Sequence, residues 1–193
     1  MVTPDNLFFK FADLNHKGTH VIIGKTVRIR KPAQVSIGDY SIIDDFTYVS
    51  CGLKVGRFSH VGANSVIIGG DAHVCIGDFV NIAPGCRLIA ASNDYAGGGL
   101  VGPTIPPEYA GDPVVSYIRI KDHVLLGANT IILPGVDIPE GVATGAMTLI
   151  TPDVKLQPWT LYVGAPARAI RKRDGKLILQ QAHRLTFDPK YRT

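Results

Sequence analysis

A branched aliphatic residue returns every six positions along most of this chain. The residue four places later is usually small or β-branched, as at Ser41, Thr47 and Thr130. Two inward positions in six residues are typical of hexapeptide repeats, in which each unit is one short strand and three strands close a triangular coil. The period fits neither an amphipathic helix nor a two-residue alternation. The sequence therefore predicts an all-β solenoid, a parallel β-helix. The inward positions that recur every six residues are called the beat below, and they are Ile37, Ile43, Val49, Val55, Val61, Ile67, Ile76, Ile82, Leu88, Ile120, Leu126, Ile132, Ile138, Thr144, Ile150 and Leu156.

The repeat also predicts how the chain is organised. We expect residues 1–19 to form an N-terminal cap and residues 20–163 to form the β-helix domain, with about six coils. Residues 164–193 are expected to leave the coil as a C-terminal segment. Within that segment, residues 174–185 have the apolar spacing of a short helix.

Two interruptions break the beat. The first adds three residues and predicts a bulge at residues 70–73. The second, residues 93–116, is rich in glycine and proline and is expected to project from one corner as an arm. A long irregular stretch inside a regular solenoid is usually functional, so the arm is where we look first for a site.

Composition and the distribution of charged residues limit the classes of protein to which this chain can belong. A chain with 46% hydrophobic and 19% charged residues suits one compact domain. No apolar run is long enough for a membrane span and the start lacks the order of a signal peptide, so we expect a cytoplasmic protein. The three cysteines lack metal-ligand spacing and are expected to be reduced packing residues. The late basic cluster suits a phosphorylated ligand better than nucleic acid, with a solvated tail as the alternative.

Three stretches after the hexads are distinctive: DHVLLGANTIILPGV, GAMTLITPDV and PWTLYVGAPARAIRKR. With the looped arm, they resemble the left-handed β-helix acyltransferases of the hexapeptide-repeat superfamily, particularly the xenobiotic, galactoside and nucleotide-aminosugar acetyltransferase group. The resemblance covers roughly residues 20–173. It implies a left-handed coil and a homotrimer, with acetyl-CoA as cosubstrate in the groove between neighbouring prisms.

The resemblance also implies an acceptor. The arm is most similar to those of enzymes that acetylate the amino group of a nucleotide-linked (dTDP-type) amino-dideoxy sugar for bacterial surface polysaccharide, the lipopolysaccharide class included. A hydroxyl of a galactoside or polysaccharide is the alternative acceptor. A non-enzymatic solenoid scaffold, which would recruit a partner through the arm, is a second alternative.

The catalytic candidates lie in and below the arm. Galactoside and xenobiotic relatives carry a histidine base early in the arm, whereas the matching stretch here reads Ala-Ser-Asn-Asp-Tyr. Asp94 could hold the acceptor's ammonium or hydroxyl and take a proton, and Asn93 could position the thioester carbonyl; a simple turn is the alternative. His60 is expected to point outward over Asn81, where it could act as the base; an ordinary surface histidine is the alternative. His73 in the bulge and His123 at a corner are further candidates.

The cofactor candidates follow from the same resemblance. Gly127 with Ala128 and Gly145 with Ala146 stand three hexads apart on one stripe, and backbone groups of such a stripe bind pantetheine in the family; ordinary corner glycines are the alternative. The segment that shelters the adenine and its 3'-phosphate matches Pro166, Ala167, Arg168 and Arg171. No metal site is expected: a carbonic anhydrase on this prism needs three convergent histidines, and His60 and His73 lack the pairing that completes the set.

Overall fold

The computed structural model describes residues 6–191 and confirms the solenoid and one short helix. The solenoid has about seven turns, one more than expected, because the first sheet already begins at His16. Residues 1–5 and 192–193 of the predicted terminal segments lie outside the described residues. The strands in chain order are β1 His16–Lys17, β2 Ile22–Ile23, β3 Arg28–Ile29, β4 Val35–Ile37, β5 Ile42–Ile43, β6 Tyr48–Val49, β7 Gly52–Val55, β8 His60–Val61, β9 Val66–Ile68, β10 His73–Ile76, β11 Asn81–Ile82, β12 Arg87–Ile89, β13 Ala91–Ser92, β14 Val114–Val115, β15 Ile118–Ile120, β16 Leu125–Leu126, β17 Ile131–Ile132, β18 Asp137–Ile138, β19 Ala143–Thr144, β20 Leu149–Ile150, β21 Thr160–Val163 and β22 Arg168–Lys172. The helix α1 spans Lys176–Phe187, as the spacing predicts.

Three sheets form the sides of the prism. The first sheet joins β1, β4, β7, β10, β15 and β18; the second joins β2, β5, β8, β11, β16, β19, β21 and β22; the third joins β3, β6, β9, β12, β17 and β20. Each strand pairs in parallel with the strand one coil later, as Ile43 of β5 does with Val61 of β8. The exception is β22, which folds back antiparallel on β21 and ends the second sheet.

The aliphatic residues of the predicted beat face the interior. Ile37, Ile43, Ile67 and Ile132 are fully buried in one continuous hydrophobic core. The small residues four places after the beat are buried as well, and their hydroxyls satisfy corner carbonyls. Ser59 donates from Oγ to the Gly77 carbonyl at 2.8 Å, and Thr148 donates from Oγ1 to the Gly145 carbonyl at 2.7 Å. Burying a hydroxyl without a partner is costly, so these bonds explain why polar residues fit the inner corners.

Two of the three corners turn through a left-handed residue in nearly every coil, whereas the third corner does so, within residues 6–191, only at Gly70 and Gly135. This residue stands three places after the inward position and has positive φ, as at Tyr40 (58°) and Asn64 (59°). At the corner between the first and second sheets it is mostly aromatic, and successive rings stack with centroids 4.7–6.0 Å apart. One coil has Gly141 at this position, and the Trp159 ring covers it to reach His123. This aromatic ladder consists of His20, Tyr40, Phe58, Phe79, His123 and Trp159.

Both interruptions of the beat lie at a corner and leave the register intact. His73 pairs with Gly52, which accommodates the three extra residues of the bulge. The arm leaves and re-enters through an antiparallel stem in which Ala91 pairs with Val115, and β10 still pairs with β15 across it. The arm therefore projects from a solenoid whose coils stack as if it were absent.

The N-terminal segment and the cysteines show two details that the repeat does not predict. The first sheet already begins at His16, and Phe9 before it is buried in the core. Cys51 and Cys86 are buried packing residues, and burial raises the pKa of the Cys51 thiol to about 11. Cys75 is exposed, because strand alternation turns the residue before inward Ile76 outward, so the packing role expected for it is wrong.

No helix among residues 6–191 has the length and apolarity needed to cross a lipid bilayer.

The adjacent residues Ile22 and Ile23 test the inward register, because Ile23 is 2% exposed and Ile22 is 43% exposed. Ile23→Ala should lower the free energy of unfolding in urea by about 2–5 kcal/mol, since it leaves a cavity in the core. The identical change at Ile22 should cost less than about 0.5 kcal/mol. Equal costs, or the reverse order, would contradict the register.

Candidate active site

The stem of the arm and the third sheet enclose a cavity of about 680 Å³. The stem contributes Ser92, Asn93 and Asp94 to its lining. The opposite wall is apolar and comes from the third sheet and the corner beyond it, with Leu133, Pro134, Leu149 and Pro152. The cavity therefore combines a polar side on the arm with an apolar side on the prism.

Asp94 is held by its own arm. The backbone N–H of Ala96 donates to Asp94 Oδ1 at 2.7 Å, and the N–H of Gly98 donates to Oδ2 at 2.7 Å. These two hydrogen bonds lower the pKa of the Asp94 carboxyl below its ordinary value. The turn expected as the alternative is thus present, but it also fixes an ionised carboxylate whose remaining lone pairs are available to a ligand.

Asn93 lies where two cavities meet. It lines the cavity described above and also a second one of about 530 Å³ on the other side of the stem. The second cavity lies between the arm and the bulge, against Gly70, Asp71 and Leu100. Asp71 is tied to the column by Lys31, whose Nζ lies 2.8 Å from its Oδ1. Asn93 and Asp94 therefore line the same cavity.

His60 lies outward on β8 and over Asn81, as expected, but both of its ring nitrogens are engaged. Nε2 lies 2.7 Å from Asp44 Oδ2, and Nδ1 lies 2.9 Å from Asn81 Oδ1. In this arrangement the imidazole has no lone pair free for an acceptor proton, whichever tautomer is present. His60 belongs to the second sheet, whereas Asn93 and Asp94 lie in the arm that follows strand β12 of the third sheet. Within one chain, the three residues therefore do not form a single site.

Two other histidines, His123 and His73, line neither cavity at the arm. His123 stacks between Phe79 and Trp159 in the aromatic ladder, with its Nδ1 buried. His73 is exposed on β10, away from the arm cavity. Within residues 6–191 no three histidine, cysteine, aspartate or glutamate side chains form a group that could hold a metal ion.

Gly127 and Gly145 allow the coils to approach closely. A Cβ on Gly127 would lie 2.7 Å from the Ala146 nitrogen, and one on Gly145 would lie 2.9 Å from Val163 Cγ1. The space left by both glycines is thus filled by the next coil, which gives them the structural role of corner glycines. The stripe still offers peptide groups, because no backbone hydrogen bond among the described residues uses the N–H of Ala128 or Ala146.

The predicted adenine segment stacks on this stripe. The turn between β21 and β22 contains Pro166 and Ala167, and the Ala167 N–H donates to the Leu149 carbonyl at 2.8 Å. Beyond the turn, Arg168 and Arg171 are exposed on β22, and neither forms an ion pair within residues 6–191. The structure therefore places the glycine stripe and the basic strand at the same end of the prism.

The sequence reasoning missed two parts of the site. Asp44, the partner of His60, stands two residues after Ile42, which pairs directly with His60; the coil step predicts that proximity. The apolar side of the cavity was not predicted, because only the inward residues of β20 were considered and not outward Leu149. Its strand β20 pairs with β17, the strand just before Leu133, so the same coil step would have placed both leucines on one side.

Known proteins with similar sequences and structures define the family. No family model matches the chain. The dTDP-4-amino-4,6-dideoxy-D-glucose acyltransferase of Escherichia coli is 32% identical over 165 residues, which cover 81% of this chain and 84% of the relative. A probable carbonic anhydrase of Methanocaldococcus jannaschii is 34% identical over 78% of this chain and 83% of its own.

Solved structures add a second comparison. AntD, an N-acyltransferase from Bacillus cereus solved with dTDP and 3-hydroxybutyryl-CoA, has a TM-score of 0.85 at 35% identity, with 94% of this chain and 97% of AntD covered. An AntD mutant was solved with dTDP-4-amino-4,6-dideoxyglucose and coenzyme A, at the same TM-score and identity. The predicted fold, enzyme class and CoA cosubstrate are thereby confirmed, and the chain belongs to the left-handed β-helix acyltransferases of the hexapeptide-repeat superfamily.

Proposed function

We propose that the protein transfers an acyl group, acetyl in the simplest case, from acyl-CoA to the amino group of a dTDP-linked 4-amino-4,6-dideoxyhexose. The observation that carries this proposal is the fixed, ionised Asp94 carboxylate in the cavity under the arm. A carboxylate with free lone pairs attracts an ammonium group. The E. coli relative, named for such a sugar, and AntD, solved with one, support the same acceptor.

The chemistry needs the amine in its neutral form. Its nitrogen attacks the thioester carbonyl carbon, the C–N bond forms and the C–S bond breaks. The CoA sulfur leaves as thiolate, and the proton that nitrogen loses ends on this sulfur, so the products are the amide and CoA thiol. Asp94 orients the amine, and Asn93 positions the carbonyl. With its lowered pKa, Asp94 is a weak base, so it acts mainly by holding the acceptor. His60 is the second candidate base, once its bond to Asn81 or Asp44 is given up.

The cosubstrate would lie along the stripe. The peptide N–H groups of Ala128 and Ala146 would bind the pantetheine amides. Gly127 and Gly145 have no side chains, so they allow the coils that carry these groups to pack closely. The turn at Pro166 and Ala167 would shelter the adenine. The guanidinium groups of Arg168 and Arg171 would bind the 3'-phosphate, since guanidinium matches phosphate geometry.

We infer the remaining context from the same observations. A homotrimer is supported by exposed apolar side chains on the third sheet and its corner with the second sheet, such as Phe46, Ile131 and Met147, which association would bury. The chain would divide into the cap 1–19, the β-helix 20–163 with its arm, and the segment 164–193. The reaction would serve bacterial surface polysaccharide biosynthesis in the cytoplasm, where nucleotide sugars and acyl-CoA are both supplied.

An acceptor series tests the proposal. Release of CoA thiol from acetyl-CoA is followed with a dTDP-4-amino-4,6-dideoxyhexose, with the corresponding 4-hydroxy sugar, and with a simple galactoside. We expect turnover that requires the amine. Turnover of the hydroxyl acceptors alone would favour the O-acetyltransferase alternative, and no turnover with no CoA binding by calorimetry would favour the scaffold.

Replacing the arm carboxylate tests its role. Asp94→Asn should lower kcat/KM for the amino sugar by roughly 10–150-fold, which corresponds to about 1.5–3 kcal/mol for a hydrogen bond to a charged group. Asp112→Asn is the matched control, because Asp112 lies in the same arm but lines neither cavity. If only His60→Gln lowers kcat/KM and Asp94→Asn does not, the residue that accepts the proton would be His60 on the second sheet.

The basic strand is tested with a CoA analogue. The wild-type enzyme should prefer acetyl-CoA to acetyl-3'-dephospho-CoA in kcat/KM, because only the former carries the phosphate. The double variant Arg168→Ala/Arg171→Ala should raise KM for acetyl-CoA about tenfold or more and abolish that preference, while Lys155→Ala, an exposed cation outside β22, should keep it. An unchanged preference in the double variant would place the phosphate elsewhere.

A further inference from the structure

The cavity under the arm has two chemically different sides at close quarters. Asp94 on the stem is ionised and held by two backbone bonds. Facing it across the same space are Leu133 and Leu149, both half-buried, and Pro134, which is buried. These three residues, called the apolar wall below, stand on stacked coils of the third sheet and its corner, so they form a rigid surface.

A 4-amino-4,6-dideoxyhexose has the matching pattern. Its amino group is on C4 and its methyl group is on the neighbouring ring atom C5. A site that recognises both groups must therefore place a carboxylate beside an apolar surface, since the ammonium needs a charged partner and the methyl gains by leaving water. The cavity combines these two features, whereas a hexose with a 6-hydroxyl would present a polar group to the same surface.

We infer that the apolar wall of Leu133, Pro134 and Leu149 receives the C6 methyl group and makes this enzyme selective for 6-deoxy sugars over sugars with a 6-hydroxyl. This inference rests on the proposed function, because it assumes that Asp94 holds the 4-amino group. It assigns acceptor selectivity to side chains of the prism and acceptor capture to the arm.

The expected selectivity is moderate. A hydrophobic pocket rejects a ligand that merely adds a hydroxyl by about 10²-fold or less, because the hydroxyl keeps part of its hydration at an open site. The half-buried state of Leu133 and Leu149 indicates such partial access. We therefore expect the 6-deoxy acceptor to be preferred by roughly 10–100-fold in kcat/KM.

The experiment compares two acceptors in the full-length wild-type enzyme with acetyl-CoA: a dTDP-4-amino-4,6-dideoxyhexose and the dTDP-4-amino-4-deoxyhexose that differs only by the 6-hydroxyl. Leu149→Asn should bring their kcat/KM ratio toward unity by giving the hydroxyl a partner. Ile22→Asn, an equivalent apolar-to-amide change on the outward side of the second sheet, should keep the wild-type ratio. The wild-type ratio is informative even if a variant does not fold.

Two outcomes would overturn the inference. One is a wild-type ratio near unity with good turnover of both sugars, which would leave the proposed function standing. The other is a Leu149→Asn variant that keeps the sugar ratio but changes the preference between acetyl-CoA and butyryl-CoA, which would assign the wall to the acyl chain. If neither amino sugar is turned over, the proposed function itself fails.

Discussion

The stacking of each coil directly on the one below is the constraint on which the rest of this structure depends. Backbone hydrogen bonds between coils fix the register, and the inward aliphatic side chains, such as Ile43 and Ile67, fill the column. The corners must then turn sharply at the same height in every coil. That requirement forces left-handed backbone at two corners, which costs an ordinary residue roughly 1–2 kcal/mol.

Side-chain contacts along the aromatic ladder offset part of that cost. Stacked aromatic pairs contribute about 0.5–1.5 kcal/mol beyond their burial, so the rings of the ladder recover part of what the backbone loses at that corner. Tyr191, after α1, meets the ladder edge-on at Tyr40 and Phe58 and so ties the C-terminal segment to the lower coils. The corner between the first and second sheets is thus stabilised on its outer side by the ladder and on its inner side by the core.

Much of the fold could be predicted from sequence, because one period sets strand length, inward face and coil step together. The inward position of Ile132, the arm and the C-terminal helix all followed from it. The ladder was missed, although an aromatic residue three places after the beat recurs visibly at Tyr40, Phe58 and Phe79.

The site was less predictable, for physical reasons that differ from residue to residue. Asp94 was identified because it lies in the stretch that matches the histidine-bearing stretch of relatives, but the two backbone hydrogen bonds that hold its carboxylate come from a local turn that only coordinates reveal. The engagement of His60 by Asp44 and Asn81 depends on side-chain geometry across three coils. The glycine stripe was identified from its spacing and the family resemblance, and neither distinguishes contact with a ligand from contact with the next coil.

The short antiparallel stem at the base of the arm has an evolutionary consequence. Since Ala91 and Val115 close the insertion and β10 pairs with β15 regardless of what lies between them, the column is indifferent to the length and composition of that loop. Natural variation can therefore change how the arm captures an acceptor without refolding the scaffold. The stem marks the natural crossover points for building chimeras between members of this superfamily.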